Sequence, residues 1–123
     1  MANRTQLISM VTWNINGVRK KFKLIKIFGI MNSVFQSPDI ICLQEVHSDE
    51  FFAKKIRQKF NKYNIFFSHG ETNSRGVALL VKKTLLFDIK QKIIDTEGRY
   101  VILRGLLGGT FVSFASVYAP SEN

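Results

Sequence analysis

Apolar positions along the chain fall into short runs that suit strands and two longer stretches with helical spacing. Leu7, Ile8, Met10, Val11, Trp13 and Ile15 make the first run, a β-favouring strand interrupted by Asn14, Asn16 and Gly17. From Val18 to Phe35, Leu24, Phe28, Met31 and Phe35 recur at steps of four, three and four, with Ile27 and Val34 beside them. That spacing predicts a helix, ended by Gln36-Ser37-Pro38. Asp39 to Glu45 contains the unbroken apolar run Ile40 to Leu43, as a strand covered on both faces requires. A second helix is expected over Glu50 to Phe60, capped by Ser48 or Asp49, its stripe supplied by Phe52, Ile56 and Phe60 or by Phe51 and Lys55 on the adjoining face.

The rest reads as strands. Tyr63 to Ser68 is one, His69 to Gly76 a loop, and Val77 to Lys82 another strand. Phe87 to Ile94 reads as a weaker edge strand, Asp95 to Gly98 as a turn and Arg99 to Gly105 as a strand. Gly108-Gly109 turns the chain back into Thr110 to Tyr118. The order βαβα followed by a meander predicts one α/β domain whose second half is an antiparallel or mixed sheet layer. In a βαβ unit both strands end at the same sheet edge. Asn14 and Glu45 are therefore expected to be neighbours although 31 positions apart. No repeat, linker or low-complexity segment divides the chain.

A hydrophobic content of 46% with 22% charged residues excludes a disordered tail and a membrane-embedded chain. The run Leu24 to Phe35 carries Lys26 and Asn32 and is too short to span a bilayer. The N-terminus shows no apolar signal-peptide core. The net charge of +9, spread along the chain, favours a polyanion such as nucleic acid or anionic lipid. Arg19, Lys20, Lys21, Lys23 and Lys26 load the start of the first helix against its dipole. Phosphate attraction accounts for that placement, and so does a solvated basic face. The single cysteine, Cys42, lies in a buried run, which points to a reducing compartment and an inert thiol.

Few residues offer chemistry. Asn14, Asn16 and Gly17 end a strand, where α/β sheets hold ligands. The same residues also suit a simple turn. Glu45 follows a fully apolar strand, so its carboxylate faces a partner, a metal or water. A carboxylate and an amide oxygen suit a hard divalent cation. His47 and His69 are expected on the surface, and Tyr118 places a phenol at a strand end beside Pro120.

Together the motifs resemble a known family. W-N-I-N-G-V-R-K at Trp13 to Lys20, L-Q-E at Leu43 to Glu45, S-R-G-V-A-L-L-V at Ser74 to Val81, E-G-R-Y at Glu97 to Tyr100 and V-Y-A-P at Val117 to Pro120 stand in order. This series resembles the N-terminal motifs of the endonuclease/exonuclease/phosphatase superfamily. The L-Q-E-V-H-S form and the V-Y-A-P-S-E-N ending look closest to the endonucleases of LINE-type retrotransposons. The resemblance implies the N-terminal half of a DNase I-like four-layer α/β-sandwich, with a mixed β-sheet and two flanking helices, residues 1–123 forming a partial domain.

It implies phosphodiester hydrolysis of DNA with Mg²⁺ or Mn²⁺. Asn14, Glu45 and Tyr118 take catalytic positions, Glu45 and Asn14 hold the metal, and Asn16, Arg19, Lys20, Arg75 and Ser121 face DNA. Ser121 stands where many relatives have asparagine. The Gly-Asp-x-Asn and Ser-Asp-His motifs of the family's second half do not occur in these 123 residues. The expectations that follow are a chain inactive alone and self-association through an uncovered sheet face. A nuclear location is expected, with some cytoplasmic presence and no secretion. The alternative is a truncated nucleic-acid-binding protein without catalysis. A phosphatase acting on small phosphoesters fits the basic balance less well.

Overall fold

The computed structural model describes residues 7–70 and 74–120. Its elements run β1 (Met10–Asn14), α1 (Lys23–Ser33), β2 (Ile40–Gln44), α2 (Glu50–Lys59), β3 (Tyr63–Ser68), β4 (Val77–Lys82), β5 (Phe87–Ile94), β6 (Tyr100–Leu107) and β7 (Thr110–Val117). A mixed sheet has the order β1-β2-β4-β3, and a meander sheet has the order β5-β6-β7. β1 and β2 are parallel, as the βαβ order predicts. β4 pairs antiparallel with both β2 and β3.

The unbroken apolar run of β2 explains the layering. Ile41 and Leu43 join Ile27, Met31, Ala53, Ile56 and Phe60 in a core between the mixed sheet and both helices. Ile40 and Cys42 point the other way, into a second core with Leu79, Val101, Leu103 and Phe114 beneath the meander. Successive strand residues face opposite sides, so a central strand must be apolar at every position. Burying β2 almost completely contributes about 2 kcal/mol for each of its large side chains.

The first helix is shorter than its periodicity predicts. It starts at Lys23, because Gly17 and Val18 donate to the carbonyls of Glu45 and Val46 and so hold the chain alongside β2's exit. Residues 18–22 form a basic connection instead. At the other end Val34 and Phe35 are exposed, so the apolar stripe outruns the helix. Asp49, one of the two predicted caps, accepts the Phe52 N–H at the start of α2. β5 is an edge strand as expected, with a register shift between Ile89 and Gln91. Among the described residues, no helix is long and apolar enough to cross a membrane.

Candidate active site

Parallel pairing of β1 and β2 puts their carboxyl ends side by side, with Asn14 opposite Gln44. Antiparallel pairing brings the end of β3 and the start of β4 to the same edge. The β5–β6 turn joins them, since Gly76 N–H donates to the Gly98 carbonyl at 3.0 Å. The end of β7 arrives through Tyr118 N–H, which donates to the Arg99 carbonyl at 2.7 Å. Asn14, Asn16, Glu45, Arg75 and Tyr118 thus come from four separate stretches to one edge. Arg19 and Lys20 lie on the connection that leaves it. Ser121 lies outside the described residues.

This edge is built from unfavourable backbone. Asn16, Glu45, His47 and Arg75 have φ of 51°, 50°, 53° and 59°. Left-handed backbone is uncommon outside glycine and recurs where surrounding structure holds a functional group in place. Here the holding contacts are backbone hydrogen bonds. Gly17 N–H donates to Glu45 O at 2.6 Å, Val46 N–H to Gly76 O at 2.9 Å, and His47 N–H to Arg75 O at 3.1 Å. Asn14 does the turn chemistry its sequence allows, its Oδ1 accepting the Asn16 N–H at 3.1 Å. Its amide NH₂ remains as a donor and one oxygen lone pair as an acceptor.

Glu45 is half-buried, and its carboxylate has no hydrogen-bond or ion-pair partner among the described residues. A carboxylate and amide oxygens form an oxygen-only donor set, which suits a hard cation that keeps much of its water. Among the described residues no three of His, Cys, Asp and Glu converge on a point.

Several supporting residues escaped the sequence reading. Gln44 Nε2 donates to Thr12 Oγ1 at 2.9 Å and to Ser116 Oγ at 3.3 Å, while Ser116 Oγ donates to the Leu43 carbonyl. Gln44 therefore ties β1 to β7 beneath the edge. Buried Ser68 donates to the Asp95 carbonyl and accepts the Gly98 N–H. Asp95 is gripped by Arg99 through its N–H, Nε and Nη2 at 3.0, 3.0 and 3.1 Å. These hydrogen bonds hold the Asp95 carboxyl down at about 2, below its ordinary 3.8, and raise Arg99. Asp95 through Gly98 read only as a turn, because the Ser68 partner lies 27 positions away. The usable signal was Asp-x-x-Gly-Arg, a carboxylate and a guanidinium four residues apart around a glycine.

The histidines differ from expectation. His47 is half-buried, with its Nε2 buried and unpartnered, and its ring lies where a Gly17 side chain would stand. His69 stacks on Phe67, pairs with Glu50 at 3.1 Å and meets Ser48 Oγ at 3.3 Å. It is a structural link between α2 and the end of β3. Cys42 is buried as expected, and burial pushes its thiol up to about 11, which removes nucleophilic character.

A model of the Endonuclease/Exonuclease/phosphatase family matches residues 11–122. TDP2 from Caenorhabditis elegans is similar in structure, with 27% identity, a TM-score of 0.68 and 94% of this chain covered. The catalytic domain of Xenopus laevis APE2 gives 20% identity, a TM-score of 0.65 and 94% coverage. The AP endonuclease LMAP from Leishmania major gives 18% identity, a TM-score of 0.64 and 90% coverage. The present chain spans 36%, 46% and 40% of those three chains.

Proposed function

Because the chain belongs to the endonuclease/exonuclease/phosphatase family, we propose that it supplies the metal- and phosphate-holding half of a DNA phosphodiesterase site. The observation that carries this reading is Glu45, a half-buried carboxylate without a partner among the described residues, held in left-handed backbone at the shared edge of two parallel strands. In this reading Glu45 and the Asn14 amide oxygen hold Mg²⁺ or Mn²⁺. Bound there, the cation would neutralise charge on the phosphoryl oxygens. Asn14 NH₂ and the Tyr118 phenol donate to the phosphate, and Asn16, Arg19, Lys20 and Arg75 position the strand. Ser121 belongs to the same proposed contact set.

A structural neighbour supports DNA as the substrate: TDP2 of D. rerio, in complex with a single-strand DNA product, at 13% identity and a TM-score of 0.67. The retrotransposon-like L-Q-E-V-H-S and V-Y-A-P motifs favour nicking of one strand, in the nucleus.

The residues that activate water belong, in this reading, to a segment carrying the Gly-Asp-x-Asn and Ser-Asp-His motifs. Supercoiled plasmid with Mg²⁺ tests this. The 123 residues alone should leave the plasmid intact. Co-expressed with such a segment they should nick it, and Glu45→Ala should lower the rate by about 100-fold or more. Efficient nicking by the chain alone, or nicking indifferent to Glu45, would overturn the assignment. A second reading, a nucleic-acid binder without turnover, is favoured by the +9 charge and predicts salt-dependent binding with no cleavage in either format.

A further inference from the structure

Beside the candidate site lies a surface whose exposed aromatic rings the reading above leaves unused. Phe22 is 67% exposed and Phe51 64% exposed, and neither belongs to a core cluster. Phe22 also has φ of 66° and caps α1 without a side-chain hydrogen bond. Left-handed backbone is a real outlier for a bulky side chain. The fold thus holds an aromatic ring in water at a strained position, and core packing gives no reason for it.

Cations lie over these rings. Lys21 Nζ is 5.1 Å from the Phe22 centroid, and Lys55 Nζ is 4.6 Å from that of Phe51 and 5.5 Å from that of Phe52. Arg19 lies 5.4 Å over Phe52. No acid occurs between Val18 and Phe35. The two acids at the start of α2 are engaged, Asp49 with the Phe52 N–H and Glu50 with His69. A groove lined by Val18, Arg19, Lys20, Phe22, Ile25 and Phe52 crosses the surface. It begins at the site itself: Val18 N–H donates at 3.0 Å to the carbonyl of Val46, the residue after Glu45.

Cations interleaved with solvent-exposed aromatic rings are the chemistry that recognises unpaired bases, with phosphates on the cations and bases stacked on the rings. A membrane-surface element would need an apolar helix face turned outward. Within α1 Ile27 and Met31 instead turn into the core, Leu24, Phe28 and Ile30 are half-buried, and exposed Ile25 stands between Lys23 and Lys26, so no continuous apolar face turns outward.

We propose that Phe22 and Phe51, with Lys21 and Lys55, form a stacking platform for unpaired bases of a DNA strand leading away from the Glu45 edge. The proposal rests on reading that edge as a phosphodiester site. The test titrates the 123-residue chain with a labelled single-stranded oligonucleotide, with the same strand carrying abasic sugars, and with heparin. Phe22→Ala and Phe51→Ala should each weaken binding of the normal strand by about 5-fold to 100-fold. Abasic-strand and heparin binding should stay unchanged, and Phe22→Trp should retain affinity. Both rings are exposed, so alanine leaves the core intact, and matched melting curves verify it.

Equal losses on the abasic strand, no loss on the normal strand, or a loss confined to phosphatidylserine vesicles would each overturn the platform. Glu45→Ala separates the two readings. Base-dependent binding without Glu45-dependent nicking in the co-expressed form would sink the site and spare the platform. Glu45-dependent nicking without base-dependent binding would do the reverse.

Discussion

The two edges of the mixed sheet follow different rules. At the edge where β2 begins, polar groups satisfy one another. Ser9 N–H donates to Asp39 Oδ2 and Asp39 N–H to Ser9 Oγ, each at 3.0 Å. The Tyr63 hydroxyl donates to the Pro38 carbonyl, and the Lys82 ammonium donates to the Ser37 carbonyl at 2.9 Å. Both edges carry left-handed non-glycine residues, Gln36 and Ser37 at the first and Asn16, Glu45, His47 and Arg75 at the edge where β2 ends, but at the second the Glu45 carboxylate has no partner among the described residues. One edge is closed chemistry, and the other is held open by its surroundings. The difference separates what the fold needs from what a ligand would need, since a satisfied edge has no group left to offer.

The largest break in this contrast comes from glycine. A Cβ on Gly98 would lie 2.5 Å from the Gly70 backbone, and Gly98 has φ of 78°. Gly98→Ala should therefore cost about 3 kcal/mol or more. Gly109, in the β6–β7 hairpin, has φ of 82° and open space around it. Gly109→Ala should cost only about 1 kcal/mol, the strain alone. Urea unfolding followed by circular dichroism compares the two, and equal costs would remove the claim that the Gly98 turn is packed to contact.

Acid gives the next effect. Asp95 has a folded pKa of about 2 against an ordinary 3.8, so its contribution is complete above the ordinary value. It is lost as pH falls through the folded one. Melting temperature measured from pH 5 down to pH 2 should fall in that window, and Asp95→Asn should flatten that part of the curve. Parallel curves for both proteins would assign acid sensitivity elsewhere.

The smallest effect is the most specific. Glu45→Gly relieves left-handed strain and removes a half-buried charge, so it should raise stability by about 0.5 to 1 kcal/mol. In the co-expressed form it should also abolish Mg²⁺-dependent nicking. A destabilised Glu45→Gly in denaturant titration would show that the side chain serves the fold.

Much of the architecture was legible because burial imposes periodicity. Ile40 to Leu43 announces a strand between two layers, and Phe52, Ile56 and Phe60 announce one helix face. The basic connection at 18–22 was misread as helix because apolar spacing continues upstream of Lys23. What stops the helix is a pair of hydrogen bonds to Glu45 and Val46, far away in sequence. The insertion of β4 between β2 and β3 was equally hidden, since an apolar run does not state its partners. Glu45, Asn14 and Tyr118, the residues of the proposed site, were picked out from ordered motifs. Around them Gln44, Ser68 and Ser116 are polar residues whose meaning lies in partners 27 to 73 positions away.

The sequence by itself determined the βαβα-then-meander order, the two-faced burial of β2, and the meeting of Asn14 with Glu45 at one edge. These follow from local periodicity and from the fixed hand of a parallel crossover. The tertiary structure alone decided that Glu45 sits in left-handed backbone with no carboxylate partner among the described residues, that Ser68 ties the end of β3 to the Asp95–Gly98 turn, and that Gln44 joins β1 to β7. Each depends on long-range hydrogen bonds or on the relative height of neighbouring strands, and no local pattern encodes either.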